Sequence, residues 1–215
     1  MSCSTPARRS ITRFRFAAAL LVAPLFACDS YEDEPEPESE LQARVLVGAV
    51  DDTDIVLGVL IDGDDIAVYQ CGGPRTVQTH TLWYRGSIGD AANPDAFDLE
   101  ADGFRLVGMR SADGLGGELL DPSGDSFTFV VDPVAEGGAA GVYLGIHDGL
   151  HTGIIVRGEG DDLTAQGATC GRNDPCSQVI ILSPIAIVGN GLTVTTEPNG
   201  VEVTANQVVD PAVTE

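Results

Sequence analysis

"SFTFVVD", residues 126–132, alternates along its whole length: Phe127, Phe129 and Val131 fall on one side of an extended chain, and Ser126, Thr128, Val130 and Asp132 on the other. Successive side chains of a β-strand point to opposite faces, so this pattern describes a strand buried on one side only, as in a sandwich or an up-and-down barrel.

Working outward, the same strand-length signal recurs on both sides of the stretch. "ARVLVGAV", "DIVLGVLI", "DIAVYQC", "HTLWYRG", "AFDLEA", "FRLVGMR" and "GELLD" precede it, and "GVYLGI", "GIIVRG", "QVIILSPIAIVG", "LTVTTE" and "VEVTAN" follow. Most are rich in Val, Ile, Thr or aromatics and bounded by glycine or aspartate. Glycine is 26 of 215 residues, about 12% against a usual ~7%, and the excess sits between the segments. Asp62-Gly63, Asp102-Gly103, Asp113-Gly114, Asp148-Gly149, Asn190-Gly191 and Asn199-Gly200 are pairs that accept positive φ and so favour tight hairpins. No stretch of helical length carries an apolar stripe at 3.6 spacing without glycine or proline. The fold class is all-β: an antiparallel meander forming a barrel or a curled sandwich. Regular strand spacing does not separate the two.

The domain spans residues 43–213, with a hairpin meander over 43–158 and C-terminal strands over 159–213 that complete or cap it. Its length suffices for one core, since a domain of about 150 residues buries nearly 70% of its unfolded surface. Pro184 interrupts the apolar run 178–189, and a central strand does not easily take proline. A bend or two short strands, with a switch between sheets, is expected there.

The chain opens differently. Arg8, Arg9, Arg13 and Arg15 precede the uncharged run Phe16 to Ala27, which has the layout of a secretory signal and is too short to span a membrane. Leu25-Phe26-Ala27-Cys28 resembles a bacterial lipobox, which implies cleavage after residue 27 and a lipid on Cys28; Phe26 is larger than the pattern usually has. The alternative is an ordinary signal ending near Ala27. Residues 28–42 then form an acidic linker, since Asp29 to Glu40 contain seven acids with Pro35 and Pro37 and no aliphatic residue to bury. The expected address is the bacterial cell envelope, extracytoplasmic and lipid-anchored, with the membrane as partner.

Four of the eleven basic residues and none of the 33 acidic ones lie in residues 1–27, so the rest of the chain carries 7 against 33 charges, a net −26 with no lysine. Such a surface repels phosphate backbones, and nucleic acid is excluded as a partner.

Cys71, Cys170 and Cys176 remain beyond Cys28. In an oxidising setting Cys170 and Cys176 could close the turn-forming loop "CGRNDPC"; a bridge from Cys71 to either is the rival. A zinc site lacks the usual C-x2-C spacing.

"VYQCGG" (68–73), "TLWYRG" (81–86), "ADGFRLVG" (101–108), "FTFVVDPVAEGGAAGVYLG" (127–145) and "GIIVRG" (153–158) together resemble a glycine-punctuated all-β domain of uncharacterised exported bacterial lipoproteins. About two thirds of the chain after the signal is covered. In similar sequences the piece after the glycine-tyrosine segment returns as a short glycine-rich strand, whereas here the tail from Gly160 is longer and has its own cysteines. The resemblance implies placement and fold and brings no catalytic residues.

Candidates for chemistry are sparse. His147 and His151 lie four apart in "HDGLH". A two-residue turn at Asp148-Gly149 would pair His147 with Leu150 and His151 with Ile146 and so part the histidines; a three-residue loop would place them opposite each other as a metal clip. The aspartate groups at 51–54, 62–65 (Asp62, Asp64, Asp65) and 158–162 invite calcium, which takes six to eight oxygen ligands, but none follows the EF-hand pattern, and solvated turns are the plainer reading. No G-x-S-x-G or P-loop occurs. Trp83 and Tyr84 could stack on a sugar, although a lone tryptophan in a strand is commonly core. The sequence therefore points to a binding or structural module with an unidentified protein or small-molecule ligand; the alternative is a calcium-dependent or carbohydrate-directed hydrolase.

Overall fold

The computed structural model describes residues 44–89, 92–171, 174–181, 185–196, 200 and 202–213. The expected signal, Cys28, the expected acidic linker and Pro184 lie outside them. The described residues hold antiparallel strands and a single 3-10 turn at Pro211–Val213, with no α-helix among them.

The first eight strands are β1 (Arg44–Val50), β2 (Val56–Asp62), β3 (Asp65–Cys71), β4 (Leu82–Ser87), β5 (Ala96–Ala101), β6 (Phe104–Arg110), β7 (Leu115–Leu120) and β8 (Ser126–Pro133). They form one sheet in the order β4-β3-β2-β1-β8-β7-β6-β5. This sheet curls into a nearly closed barrel. Gly89 N donates to Ala96 O at 2.7 Å, tying the end of β4 to the start of β5. Gly86 on β4 meets Leu99 on β5 so closely that an added Cβ would lie 2.5 Å from Leu99 Cδ2. The opening stretch behaves as its alternation predicts: Phe129 and Val131 are buried inside, Phe127 packs against the same cluster, and Val130 faces outward at 63% exposure. Leu46, Val59, Val68, Tyr84 and Leu106 fill the rest of this interior.

The remaining strands are β9 (Gly141–His147), β10 (Leu150–Arg157), β11 (Thr164–Cys170), β12 (Ser177–Ile180), β13 (Ile187–Val188), β14 (Gly191–Thr196) and β15 (Glu202–Val208). Their order is β12-β11-β10-β9-β15-β14-β13, and β12 also pairs with β14 through Val179↔Thr196 and Ile180↔Thr195. Six strands thus close a second barrel, with β13 as a short arm on β14. Its interior holds Tyr143, Ile154, Val156, Leu192, Val194 and Val203.

Three details differ from the sequence reading. The change of sheet falls between Pro133 and Gly141, earlier than the 158/159 division expected, because β9 pairs with β15 (Asn206↔Leu144, Val208↔Val142) and leaves β8 to β1 and β7. The strand β11, "TAQGATC", has no large apolar residue and gave no strand signal, yet its Gly167, Ala168 and Thr169 are buried. Two short strands do flank Pro184, but both pair with β14, so no sheet switch occurs.

The barrels pack through the outer faces of β1–β3 and β9–β11. Val45, Val47, Val56, Leu60, Ala67 and Tyr69 meet Val142, Ile155 and Ala168. For this reason β2 and β3 are buried on both faces and read as nearly continuous apolar runs. Two glycines set the approach: a Cβ on Gly58 would lie 2.4 Å from Val142 Cγ2, and one on Gly153 would lie 2.5 Å from Tyr69 Cζ. Each side chain fully buried in this layer contributes about 1.5–3 kcal/mol. Polar contacts fix the register, since Gln166 on β11 donates from Nε2 to Cys71 O at 2.7 Å and to Asp54 O at 2.9 Å.

Candidate functional site

Where β3 and β4 of the first barrel meet β9, β10 and β15 of the second, a groove of ≈ 630 Å³ opens. One wall is an aromatic pair. Tyr69 and Trp83 are direct cross-strand partners on the outer face, and their rings stack with centroids 4.9 Å apart at 27°. Tyr69 is buried, and its hydroxyl donates to Gly153 O at 3.2 Å. Burial pushes its phenol well above the usual range. Trp83 is half-buried and borders the groove. Its neighbour Tyr84 points the other way into the first barrel, where its hydroxyl donates to Gln70 Oε1 at 2.8 Å. Strand alternation therefore sends only one of the two aromatics considered for stacking to a surface where a ligand could meet it.

The opposite wall comes from the β9–β10 hairpin. Asp148 and Gly149 take positive φ (49° and 79°), and the register pairs His147 with Leu150 and His151 with Ile146. This is the two-residue turn, so the histidines occupy opposite faces. His151 lines the groove beside Ile146, which is 64% exposed; His147 lies on the other face, its Nε2 3.3 Å from Asp148 Oδ2. The pair does not form a clip. Thr204 and Asn206 on β15 add polar groups, and the Cys170–Cys176 disulfide closes one end. Cys71 is the buried free thiol among the described cysteines, so the rival bridge does not form. Thr204, Asn206 and the β11 contacts carried no motif in the sequence; only the fold brings them to the groove.

The aspartate groups lie elsewhere. Asp62 and Asp65 are paired across the β2–β3 turn, where Gly63 takes φ 60°; they and Asp64 are exposed, and Asp64 O accepts from Ile88 N at 2.7 Å. Asp51 Oδ2 accepts from Thr128 Oγ1 at 2.6 Å. Asp54 accepts from Thr76 Oγ1 at 2.7 Å and from Arg75 N at 2.9 Å. Burial pushes the Asp54 carboxyl up, but the Thr76 and Arg75 donors outweigh it and hold the group below the usual carboxylate value. Among the described residues no three His, Cys, Asp or Glu side chains converge as a metal-ligand set.

Among the described residues the groove's lining contains no aspartate or glutamate. It offers a flat aromatic face, two apolar edges and scattered hydroxyl, amide and imidazole groups, which suits binding and does not assemble the paired acids of a glycosidase. No protein-family model matches the chain, and no curated protein matches it.

Proposed function

We propose that the chain is a lipid-anchored binding module of the bacterial cell envelope, which holds a small uncharged ligand with a flat apolar face, such as a sugar ring, between its two barrels. The observation that carries the ligand reading is Trp83: Tyr69 supports it within a groove whose other described lining side chains are apolar or carry hydroxyl, amide and imidazole groups. An aromatic face meets the C–H side of such a ring, while Asn206 and the threonines are placed for its hydroxyls. The anchor rests on Leu25-Phe26-Ala27-Cys28 and on the seven acids that follow, which would hold the barrels away from the membrane surface.

Trp83 is the only tryptophan, so its fluorescence reports on the groove directly. Full-length protein in detergent is titrated with a panel of methyl glycosides and disaccharides, with calorimetry on wild type and Trp83→Ala. A saturable fluorescence change with at least one sugar, and heat of binding lost in the variant, is expected. A flat titration across the panel would overturn the ligand reading. For the anchor, palmitate labelling of wild type is expected to vanish in Cys28→Ala; equal labelling of both would sink it.

A further inference from the structure

At the other end of β10 the interface between the barrels holds a charge with no partner among the described residues. Ile155 and Arg157 continue the face of β10 that begins with His151 and Gly153, six residues or roughly 20 Å away along the strand. Arg75, Arg105 and Arg110 each meet a carboxylate, at 3.4 Å from Asp54 Oδ2, 2.8 Å from Asp98 Oδ1 and 3.3 Å from Asp95 Oδ1 respectively. Arg157 meets none among the described residues. Its Nε is buried without an acceptor, while the residue as a whole is half-buried. In a chain with three acidic residues for every basic one, a half-buried arginine without a carboxylate partner stands apart, since partly desolvated charges are usually paired.

Arg157 borders a cavity of ≈ 730 Å³ between β1, β8, the 134–140 connection and the start of the 158–163 loop. Its other walls are small or apolar, with Ala49, Val130, Ala140 and Leu163 among them. Asp132 and Glu159 stand exposed at the rim and do not bond the guanidinium.

We propose that this cavity is a second binding site, distinct from the groove at Trp83, and that it takes a small monocarboxylate with an apolar body. The planar guanidinium matches a carboxylate with two parallel hydrogen bonds, which a point charge or a hydroxyl does not reproduce. The apolar walls accommodate the body of the ligand. Asp132 and Glu159 at the rim disfavour anions of higher charge, so a carboxylate is preferred over phosphate.

The test uses full-length protein in detergent with hexanoate, hexanamide and inorganic phosphate as probes, read by calorimetry and by the thermal midpoint. Hexanoate is expected to bind and to raise the midpoint, hexanamide to bind at least tenfold more weakly, and phosphate to have no effect. Arg157→Gln is expected to abolish the preference for hexanoate, and Arg157→Lys to weaken hexanoate about tenfold, as loss of the two-pronged contact at a kept charge implies. Equal binding of hexanoate and hexanamide to wild type, no binding of hexanoate, or hexanoate affinity unchanged in Arg157→Gln would each overturn the site. The wild-type comparison of the two six-carbon probes decides the question even if the variants fail to fold.

Discussion

Tyr69 and Gly153 hold the two barrels together as a matched pair: the Tyr69 hydroxyl donates to Gly153 O at 3.2 Å, and the ring fills the space where a Cβ on residue 153 would sit. The contact brings the two sheets close at the groove and supports the ring on which Trp83 stacks. Gly153→Ala would place a methyl 2.5 Å from Tyr69 Cζ, and neither the buried ring nor the strand has room to yield. A loss of about 1–3 kcal/mol is expected from overpacking of this kind, with a shift in Trp83 fluorescence. Gly116→Ala on β7, where the nearest atom is 3.5 Å away, is the control and should be nearly neutral. Urea denaturation of both variants checks the difference; equal stability would mean that the barrels do not need the close approach.

Asp54 predicts an acid limb in the stability profile. Its carboxyl is held below its ordinary value by the Thr76 and Arg75 donors despite burial, so its stabilisation is present above the unfolded value of 3.8 and is lost as pH falls through the lower folded value. Arg75 is largely exposed and adds little as an ion pair; the hydroxyl and backbone bonds matter more. Asp54→Asn should cost about 1–3 kcal/mol at pH 7 and flatten the decline below pH 4 relative to wild type. Thermal midpoints across pH 2.5–7 measure both; parallel profiles would show that the carboxylate does not pin the 73–80 loop.

Much of this fold was legible because local chemistry and topology agree. Asp102-Gly103 and Asp148-Gly149 both form two-residue turns with both residues at positive φ, and these turns fixed the registers Ala101↔Phe104 and His147↔Leu150. At Asn190-Gly191 the turn instead uses Gly189 and Asn190, because Gly189 already supplies the positive φ and the pairing shifts by one residue. The strand β11 escaped notice since a face packed against another barrel is served by Gly167, Ala168 and Thr169, which carry no strand preference of their own. Nor does alternation say which barrel a hairpin joins: β9 is decided by its pairing with β15, more than fifty residues away. The groove inherits that difficulty, since Trp83 and His151 become neighbours only once the two barrels are placed.

The Cys170–Cys176 bridge should stabilise the end of the groove through the short loop it closes. In the chain-entropy picture, a cross-link between residues six apart contributes about 2 kcal/mol. The double variant Cys170→Ser/Cys176→Ser is expected to lose that amount in urea denaturation and to weaken any ligand bound at Trp83, as His151 pairs directly with Cys170 across β10 and β11. Full stability after reduction with dithiothreitol would contradict this.

Cys71 should behave as the opposite kind of cysteine. It lies at the end of β3 in the layer between the barrels, fully buried, with its carbonyl held by Gln166. Burial pushes its thiol up to about 12, so at pH 8 almost none is thiolate, and the reacting species is also shielded from reagent. Native protein treated with iodoacetamide at pH 8 is expected to leave the Cys71 peptide unmodified by mass spectrometry, while protein in 8 M urea is alkylated there to completion. Because the thiol is reached only when the barrels part, the rate of alkylation in rising urea measures the opening of their interface. That rate should increase in Gly153→Ala more than in Gly116→Ala; an equal increase would separate the exposure of Cys71 from the Tyr69–Gly153 contact.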